Sequence, residues 1–308
     1  MSSGLFRVEH ILGSGGSGAV YKAWHQRLKK HVVVKEVRHS LSDSIGARRN
    51  EVEALKNMKN AYLPQVLDFL AEGDRVYTVM EYIEGESFDK ILRQRRRFAS
   101  SQAAKWYMQL ASALEAIHEQ DVCHRDIKPS NIMLSPRGDI CLIDFSAALV
   151  RGNNTQFISH SRGYASPEQY DAFRRVERAM RGRTAITGDM PESAVTEFAG
   201  IPDITEFAPD DVTRARVDPG IPAPAPSRID WKRSDIYSLG ATMYHIMTGK
   251  RPPTWVAEDN SINVFGGFGG HLAHIVEKSM RRDPSERFGS ASELISGLAA
   301  ARATTPAD

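Results

Sequence analysis

The sequence predicts an α+β fold in two lobes, a small β-rich lobe followed by a larger, mainly helical one. Three observations carry this. Residues 5–80 hold five short runs rich in β-branched and aromatic residues around a single helical stretch. From residue 87 the apolar residues recur at helical spacing instead. A hydrophobic fraction of 41% over 308 residues is enough to bury a core of that size.

In the small lobe the strands are expected over Phe6 to Leu12, Ala19 to Trp24, Val32 to Val37, Val66 to Leu70 and Val76 to Met80. Between them, Ile45, Val52, Leu55 and Met58 fall close to i, i+3, i+4 spacing and predict a helix over Ile45 to Met58. In the large lobe Ser101 to Glu119 carries Trp106, Leu110, Ala113, Leu114 and Ile117 on one stripe. Further helices are expected over Ser234 to Met247, Leu272 to Met280 and Ala291 to Ala301.

Residues 171–229 break this order. Asp171 to Arg183 holds five arginines, Gly188 to Asp211 holds seven acidic residues with no lysine or arginine, and Val217 to Ser227 is rich in proline and alanine. Inside the acidic part Thr196-Glu197-Phe198-Ala199 is echoed by Thr205-Glu206-Phe207-Ala208. Such composition reads as an insertion, partly disordered: either a plain surface loop or an element that docks a partner or regulates.

The formal net charge of +2 is too small to make nucleic acid or a membrane surface the main partner. Two cysteines, Cys123 and Cys141, exclude a disulfide framework and fit a reducing compartment. No apolar run approaches the roughly 20 residues of a membrane span, and Met1 to Val8 has no signal-peptide pattern. A cytoplasmic protein is expected. Nothing in the sequence sets the oligomeric state.

Gly13-Ser14-Gly15-Gly16-Ser17-Gly18 lies between two strand-like runs. Glycines let a backbone approach phosphate closely and leave amide donors available. Alone, the pattern also fits a plain glycine hairpin or a dinucleotide fingerprint, although the latter leads into a helix and here a strand follows. Seventeen residues after Gly18, Lys35 ends the run Val32-Val33-Val34. A lysine there buries its stem and seeks an anion, for which Glu51 on the helical stretch is the candidate. Taken singly, Lys35 could equally be a strand-edge solubiliser and Glu51 part of a solvated face. Arg93, Arg95, Arg96 and Arg97 form a basic cluster that fits a solvated helix end.

The most specific stretch is His124-Arg125-Asp126-Ile127-Lys128-Pro129-Ser130-Asn131, with Ile143-Asp144-Phe145 following a β-like run. It resembles the catalytic loop and metal-binding loop of protein kinases. Gly163-Tyr164-Ala165-Ser166-Pro167-Glu168 and Ser234-Asp235-Ile236-Tyr237-Ser238-Leu239-Gly240 add kinase-like matches in kinase order. The chain thus resembles a eukaryotic-like, bacterial-type Ser/Thr protein kinase from about Phe6 to Leu298, interrupted by 171–229.

This resemblance implies that the γ-phosphate of ATP passes to Ser/Thr hydroxyls of a protein substrate, with Mg²⁺ as cofactor and Mn²⁺ as a substitute. It implies Asp126 as acceptor of the attacking hydroxyl's proton, Lys128 and Lys35 as phosphate-charge neutralisers, and Glu51 as the ion-pair partner of Lys35. Asn131 and Asp144 become metal ligands. Leu12, Gly13, Gly15, Gly18, Val20, Val33, Met80, Glu81, Ile83 and Met133 join Lys35 and Asp144 around the nucleotide. Leu55, Val66, His124 and Phe145 match an apolar column, Asp235 would hold the catalytic-loop backbone, and Arg287 would pair with Glu168. Residues 1–80 become the small lobe, 81–83 a hinge, 84–170 with 230–301 the large lobe, 171–229 an insertion and 302–308 a tail. Lys128 and Ser161 place the chain with the Ser/Thr group. Thr155, Ser159 and Ser161 are the hydroxyls of the activation segment; Thr155 and Ser159 are the expected autophosphorylation sites, because Ser161 is wanted as a bare hydroxyl against Asp126 and Lys128.

Two departures bear on mechanism. Ser146 stands where the metal loop has glycine, which costs backbone freedom. Trp255 to Gly270 is poor helix text. The alternative reading is a pseudokinase scaffold that binds nucleotide and signals by docking, for which the full set of reactive residues would be superfluous.

Overall fold

The computed structural model describes residues 4–15, 18–38, 55–56, 58–72, 75–94, 98–150, 157–187, 212–216, 229–252 and 270–304. The chain divides into two units. Among the described residues the first comprises 4–59, 63–83 and Val212, and the second 60–62, 84–187 and everything from 213 on.

The first unit is an antiparallel sheet of β1 (Phe6–Gly15), β2 (Gly18–His25), β3 (Lys30–Arg38), β4 (Val66–Glu72) and β5 (Arg75–Glu81), in the order β1-β2-β3-β5-β4. Period-2 alternation sorts its two faces. Ala23, Val32, Val34, Tyr77 and Val79 form the buried cluster on one side, with Phe6, Tyr21, Leu67 and Leu70 packed against it. Glu36 is buried on that same side, where Arg75 at 2.9 Å and the Tyr21 hydroxyl at 3.2 Å satisfy its carboxylate. Only glycine fits at 18: a β-carbon there would lie 1.9 Å from the Glu36 carbonyl oxygen.

The second unit is built around two long helices. On α2 (Ser100–Glu119), Trp106, Tyr107, Leu110, Leu114 and Ile117 are buried, so the stripe seen in the sequence is its core face. On α4 (Trp231–Thr248) almost every residue from Ser234 to Ile246 is buried. Asp230 caps its first turn by accepting from the Arg233 N–H, and Gly249 ends it in the left-handed conformation, φ 69°. Around this pair pack α1 (Phe88–Arg93), α3 (Pro167–Thr187), α5 (His271–Ser279) and α6 (Ala291–Thr304). Gly240 lets α4 and α5 approach, since a β-carbon there would sit 2.7 Å from that of Ser279. No helix of the described residues is long and apolar enough to cross a membrane.

Several short strands position the loops. β6 (Glu86–Ser87), β8 (Ile132–Leu134) and β9 (Ile140–Leu142) make one small sheet, and β7 (Val122–Cys123) pairs with β10 (Leu149–Val150). β11 (Phe157–Ser161) pairs with β12 (Val212–Arg216).

The stretch set apart by composition is partly regular. α3 continues from Pro167 without a break to Thr187, burying Phe173 and Val176, so its arginine-rich start is helix. Its last described piece, β12, returns to the strand that ends at Ser161. The acidic stretch 188–211, the proline-rich 217–228, most of the expected helix 45–58, and 253–269 lie outside the described residues.

Candidate active site

Residues 124–131 leave β7 and enter β8, whereas 143–148 leave β9 and enter β10. Because β8 pairs with β9 and β7 with β10, the two loops must run side by side. Direct bonds join them. The Ile143 N–H donates to the Asn131 carbonyl at 2.8 Å, and Arg125 Nε donates to the Ala147 carbonyl at 2.5 Å. His124 Nδ1 accepts from the Asp126 N–H at 3.3 Å, leaving Nε2 to donate to the Ile143 carbonyl at 3.2 Å. Its ring lies 5.0 Å from that of Phe145.

At the centre stands Asp126. Ser161 Oγ donates to its Oδ1 at 2.6 Å, Lys128 Nζ lies 3.3 Å from its Oδ2, and Asn131 Nδ2 donates to its Oδ2 at 3.3 Å and to the Asp126 main-chain carbonyl at 2.8 Å. All four residues are buried. A buried carboxylate of this kind needs such partners, and one whose neighbours are a cation and a hydroxyl is equipped to orient an alcohol and accept its proton. On the neighbouring loop Asp144 accepts from the Ser146 N–H at 3.2 Å and also from the Ser146 hydroxyl. Asn131 and Asp144 together offer carbonyl and carboxylate oxygens, a hard donor set that suits Mg²⁺ or Mn²⁺.

Arg125 and Asp144 both have left-handed backbones, φ 63° and 65°, which a non-glycine residue adopts only when its surroundings hold it there. For Arg125 the holder is Asp235. This fully buried carboxylate accepts from the Arg125 N–H at 2.7 Å, the His124 N–H at 2.8 Å and His118 Nε2 at 3.0 Å. The Arg125 guanidinium lies over the Trp231 ring at 5.0 Å. Further along, Arg287 grips Glu168 with two bonds of 2.7 and 2.8 Å.

The remaining predicted residues sit on the first unit. Val20 is directly opposite Lys35, Lys35 opposite Thr78, and Val33 opposite Met80. Cross-strand partners share a face, so Val20, Val33, Lys35 and Met80 line the side of the sheet away from its buried cluster. Gly15 pairs with Gly18 at the end of the β1–β2 hairpin, Gly13 is opposite Val20, and Leu12 is exposed beside it. Glu81 ends β5 and Ile83 follows it. On the second unit Met133 is in β8 opposite Cys141. Glu51 and Thr155 lie outside the described residues, and Ser159 is within β11.

Four supporting residues escaped the sequence reading. Gln169 Nε2 donates to the Arg125 carbonyl at 2.9 Å, Thr242 Oγ1 to the Ile127 carbonyl at 3.3 Å, and His118 and Trp231 act as described above. Their spacing from the catalytic loop exceeds forty residues for Gln169 and a hundred for Thr242. The only local signal was the polar residue on an otherwise apolar helix face, as at Thr242.

Comparison with known proteins gives a consistent picture. The protein kinase domain family matches residues 6–177. A probable serine/threonine-protein kinase of Clostridium perfringens is 25% identical over 308 residues, covering 95% of this chain and 38% of that protein. A second, from Clostridium acetobutylicum, is 31% identical over 174 residues, covering 54% of this chain and 26% of the relative. The serine/threonine-protein kinase PknA of Corynebacterium glutamicum is 25% identical over 321 residues, covering 96% and 56%. The chain thus spans between about a quarter and somewhat over half the length of these curated relatives.

Proposed function

Since the chain belongs to the protein kinase family, matched over residues 6–177, we propose that it is an ATP-dependent Ser/Thr kinase acting on protein hydroxyls. The observation that carries this is the buried set around Asp126: Ser161 on one carboxylate oxygen, Lys128 and Asn131 on the other.

The roles follow from what each group can do. Asp126 orients the attacking hydroxyl and takes its proton. Lys128 balances the negative charge that gathers during phosphoryl transfer, a reaction that depends chiefly on positioning and electrostatics. Ser161 holds the carboxylate in one rotamer. Asn131, whose Nδ2 is committed to Asp126, keeps its side-chain oxygen as an acceptor, and with Asp144 would hold the divalent ion. Bound there, that ion supplies charge neutralisation at the phosphates. On the first unit the sheet face of Val20, Val33, Lys35 and Met80, with the glycines of the β1–β2 hairpin, is assigned to the nucleotide: apolar groups for the base, lysine and backbone amides for phosphate. Glu51 is assigned as the partner of Lys35. Leu12, Glu81, Ile83 and Met133 complete the nucleotide surroundings by resemblance to the family.

We also assign the enzyme autophosphorylation at Thr155 or Ser159. Ser161 is excluded from that role by its bond to Asp126, which a phosphate would replace with repulsion. Residues 171–229 are read as a docking or regulatory element for a protein partner.

The test is incubation with labelled ATP, Mg²⁺ and a generic basic protein, for the parent chain and Asp126→Asn. The parent is expected to label the substrate and itself between residues 147 and 162, and the variant to fold but transfer about 10²–10⁴-fold more slowly. Near-parental turnover by Asp126→Asn would overturn the assignment. A parent that binds ATP and labels nothing would favour the scaffold.

A further inference from the structure

The strand that leads into the catalytic loop carries a chemistry the kinase reading does not use. Cys123 ends β7, next to His124, and is buried. A ring nitrogen of His118, the Cys123 thiol and a carboxylate oxygen of Asp235 lie within 4.8 Å of one another, and all three residues are buried. Three elements deliver them: the last turn of α2, β7 and the first turns of α4. Two of the atoms are closer still, since His118 Nε2 is 3.0 Å from Asp235 Oδ2. Neighbouring ligands of a tetrahedral ion, each about 2.0–2.1 Å from it, lie roughly 3.3 Å apart. The His118–Asp235 pair is thus near the spacing of two such ligands, with a proton between them.

Each group can take the form an ion requires. The second ring nitrogen of His118, Nδ1, is buried and has no hydrogen-bond partner. The imidazole can therefore stay neutral with its proton on Nδ1, and its Nε2 lone pair turns to the ion at the expense of one bond only, the one to Asp235. Asp235 keeps the His124 N–H at 2.8 Å and the Arg125 N–H at 2.7 Å. Cys123 binds as thiolate and releases one proton to solvent. Without an ion, burial and after it the charge of Asp235 push the thiol pKa up; a dication between the two reverses that balance. Thiolate, imidazole and one carboxylate oxygen suit Zn²⁺, whereas Mg²⁺ takes oxygen ligands.

We propose that His118, Cys123 and Asp235 form an inhibitory site for Zn²⁺ or a cation of like preference, apart from the Mg²⁺ site assigned to Asn131 and Asp144. The inhibition, though not the binding, rests on the kinase reading above. An ion at Asp235 Oδ2 draws charge from the carboxylate and weakens its charge-assisted bonds to the His124 and Arg125 N–H groups. Those bonds hold Arg125 at φ 63°, one residue before Asp126. The loss falls on kcat, because the displaced loop carries Asp126, while the groups assigned to the nucleotide base lie on the first unit. Since all three ligands are buried, the ion enters through local opening, and inhibition sets in slowly.

The experiment has two readouts on the full chain. Titration with Cd²⁺ follows the ultraviolet thiolate-to-metal charge-transfer band, and phosphoryl transfer to a generic basic protein is measured at fixed Mg²⁺ and ATP as Zn²⁺ is added. The band should saturate at one Cd²⁺ per chain. After preincubation, about 10 μM free Zn²⁺, a concentration suited to three protein ligands, should lower kcat about tenfold. The KM for ATP should hold, and further Mg²⁺ should not restore activity. Cys123→Ala should lose both the band and the Zn²⁺ sensitivity while transferring phosphate in Mg²⁺ alone within a few-fold of the parent. Cys123→Val, which fills the space and suits a strand, replaces it if the alanine variant does not fold. Cys141→Ser removes the other thiol and should keep the band. A band that survives loss of the Cys123 thiol, or no band at all, would overturn the site. Zn²⁺ inhibition equal in parent and variant, or relieved by Mg²⁺, would overturn it too, by placing the ion with the nucleotide. Binding through Cys123 with unchanged kcat would overturn the inhibitory role. A parent that transfers nothing in Mg²⁺ alone would sink the kinase reading, and the Cd²⁺ band would still decide the site.

Discussion

Asp235→Asn is the most instructive substitution, because it changes one atom of a fully buried carboxylate. The parent carboxylate takes three donors: Arg125 N–H on Oδ1, and His124 N–H with His118 Nε2 on Oδ2. An amide has one oxygen. Placed to serve His118 and His124, it aims its NH₂ at the Arg125 N–H; flipped, it strands the other two. One stranded buried donor costs about 1–3 kcal/mol, and the surviving bonds lose the roughly twofold strength of charge assistance. Relief from burying a charge offsets part of this. A net loss of about 3 kcal/mol is expected, within the range for breaking a buried ionic network. For a domain of this size that corresponds to a fall in Tm of about 6–12 °C. The damage should be local as well, because Arg125 has φ 63° and loses the bond that holds it. Differential scanning fluorimetry and phosphoryl transfer, run on the same preparation, read both effects. A variant melting within 1–2 °C of the parent, with unchanged kcat, would refute the claim that Asp235 sets the catalytic-loop backbone.

Asp144→Asn should raise the Mg²⁺ concentration needed for half-maximal ATP binding by about tenfold or more, since it removes a charged ligand; an unchanged Mg²⁺ titration would remove Asp144 from the metal site. Gly18→Ala should lower the Tm by several degrees, because its methyl group would collide with the Glu36 carbonyl 1.9 Å away and push β2 from β3; an unaltered melting curve would contradict that geometry. His245 is held neutral in the folded chain with a pKa of about 4 against 6.5 as its ordinary value. Below pH 6.5 the unfolded chain therefore binds a proton that the folded chain does not, so stability falls from pH 6.5 down to about 4 and levels off beneath it. In His245→Gln that component of the acid sensitivity should vanish, as measured by Tm against pH.

The five-stranded sheet was legible because its strands are local runs of Val, Ile, Phe and Tyr whose alternation needs no partner to be seen. The buried stripe of α2 was legible for the same reason. The catalytic loop was legible as a motif, yet what holds it was only partly so. Asp235 and the Glu168–Arg287 pair emerged from resemblance; Gln169 and Thr242 did not, since a single polar residue on a buried helix face looks alike whether it caps a loop or points nowhere in particular. The helical run through 171–187 was hidden by composition. Its arginines suggested a solvated loop, although arginine, alanine and methionine are good helix formers and Phe173 with Val176 already marks an i, i+3 apolar pair. β12 could not have been read from Val212-Thr213-Arg214-Ala215-Arg216 alone: a strand of five residues becomes one by finding β11, and that pairing is set by tertiary structure. The same holds for the two-residue strands β7 and β10.

The β11–β12 pairing closes a ring. Its ends are the strand carrying Ser161 and a strand that begins at Val212, so the two meet across about fifty residues of chain, of which 167–187 are the helix α3. A two-stranded ribbon has little stability of its own, so its formation leans on the helix that leads away from it and on the apolar contacts of Phe173 and Val176 that seat that helix. A change that unseats α3 is therefore felt at the strand that carries Ser161 and, through that hydroxyl, at Asp126.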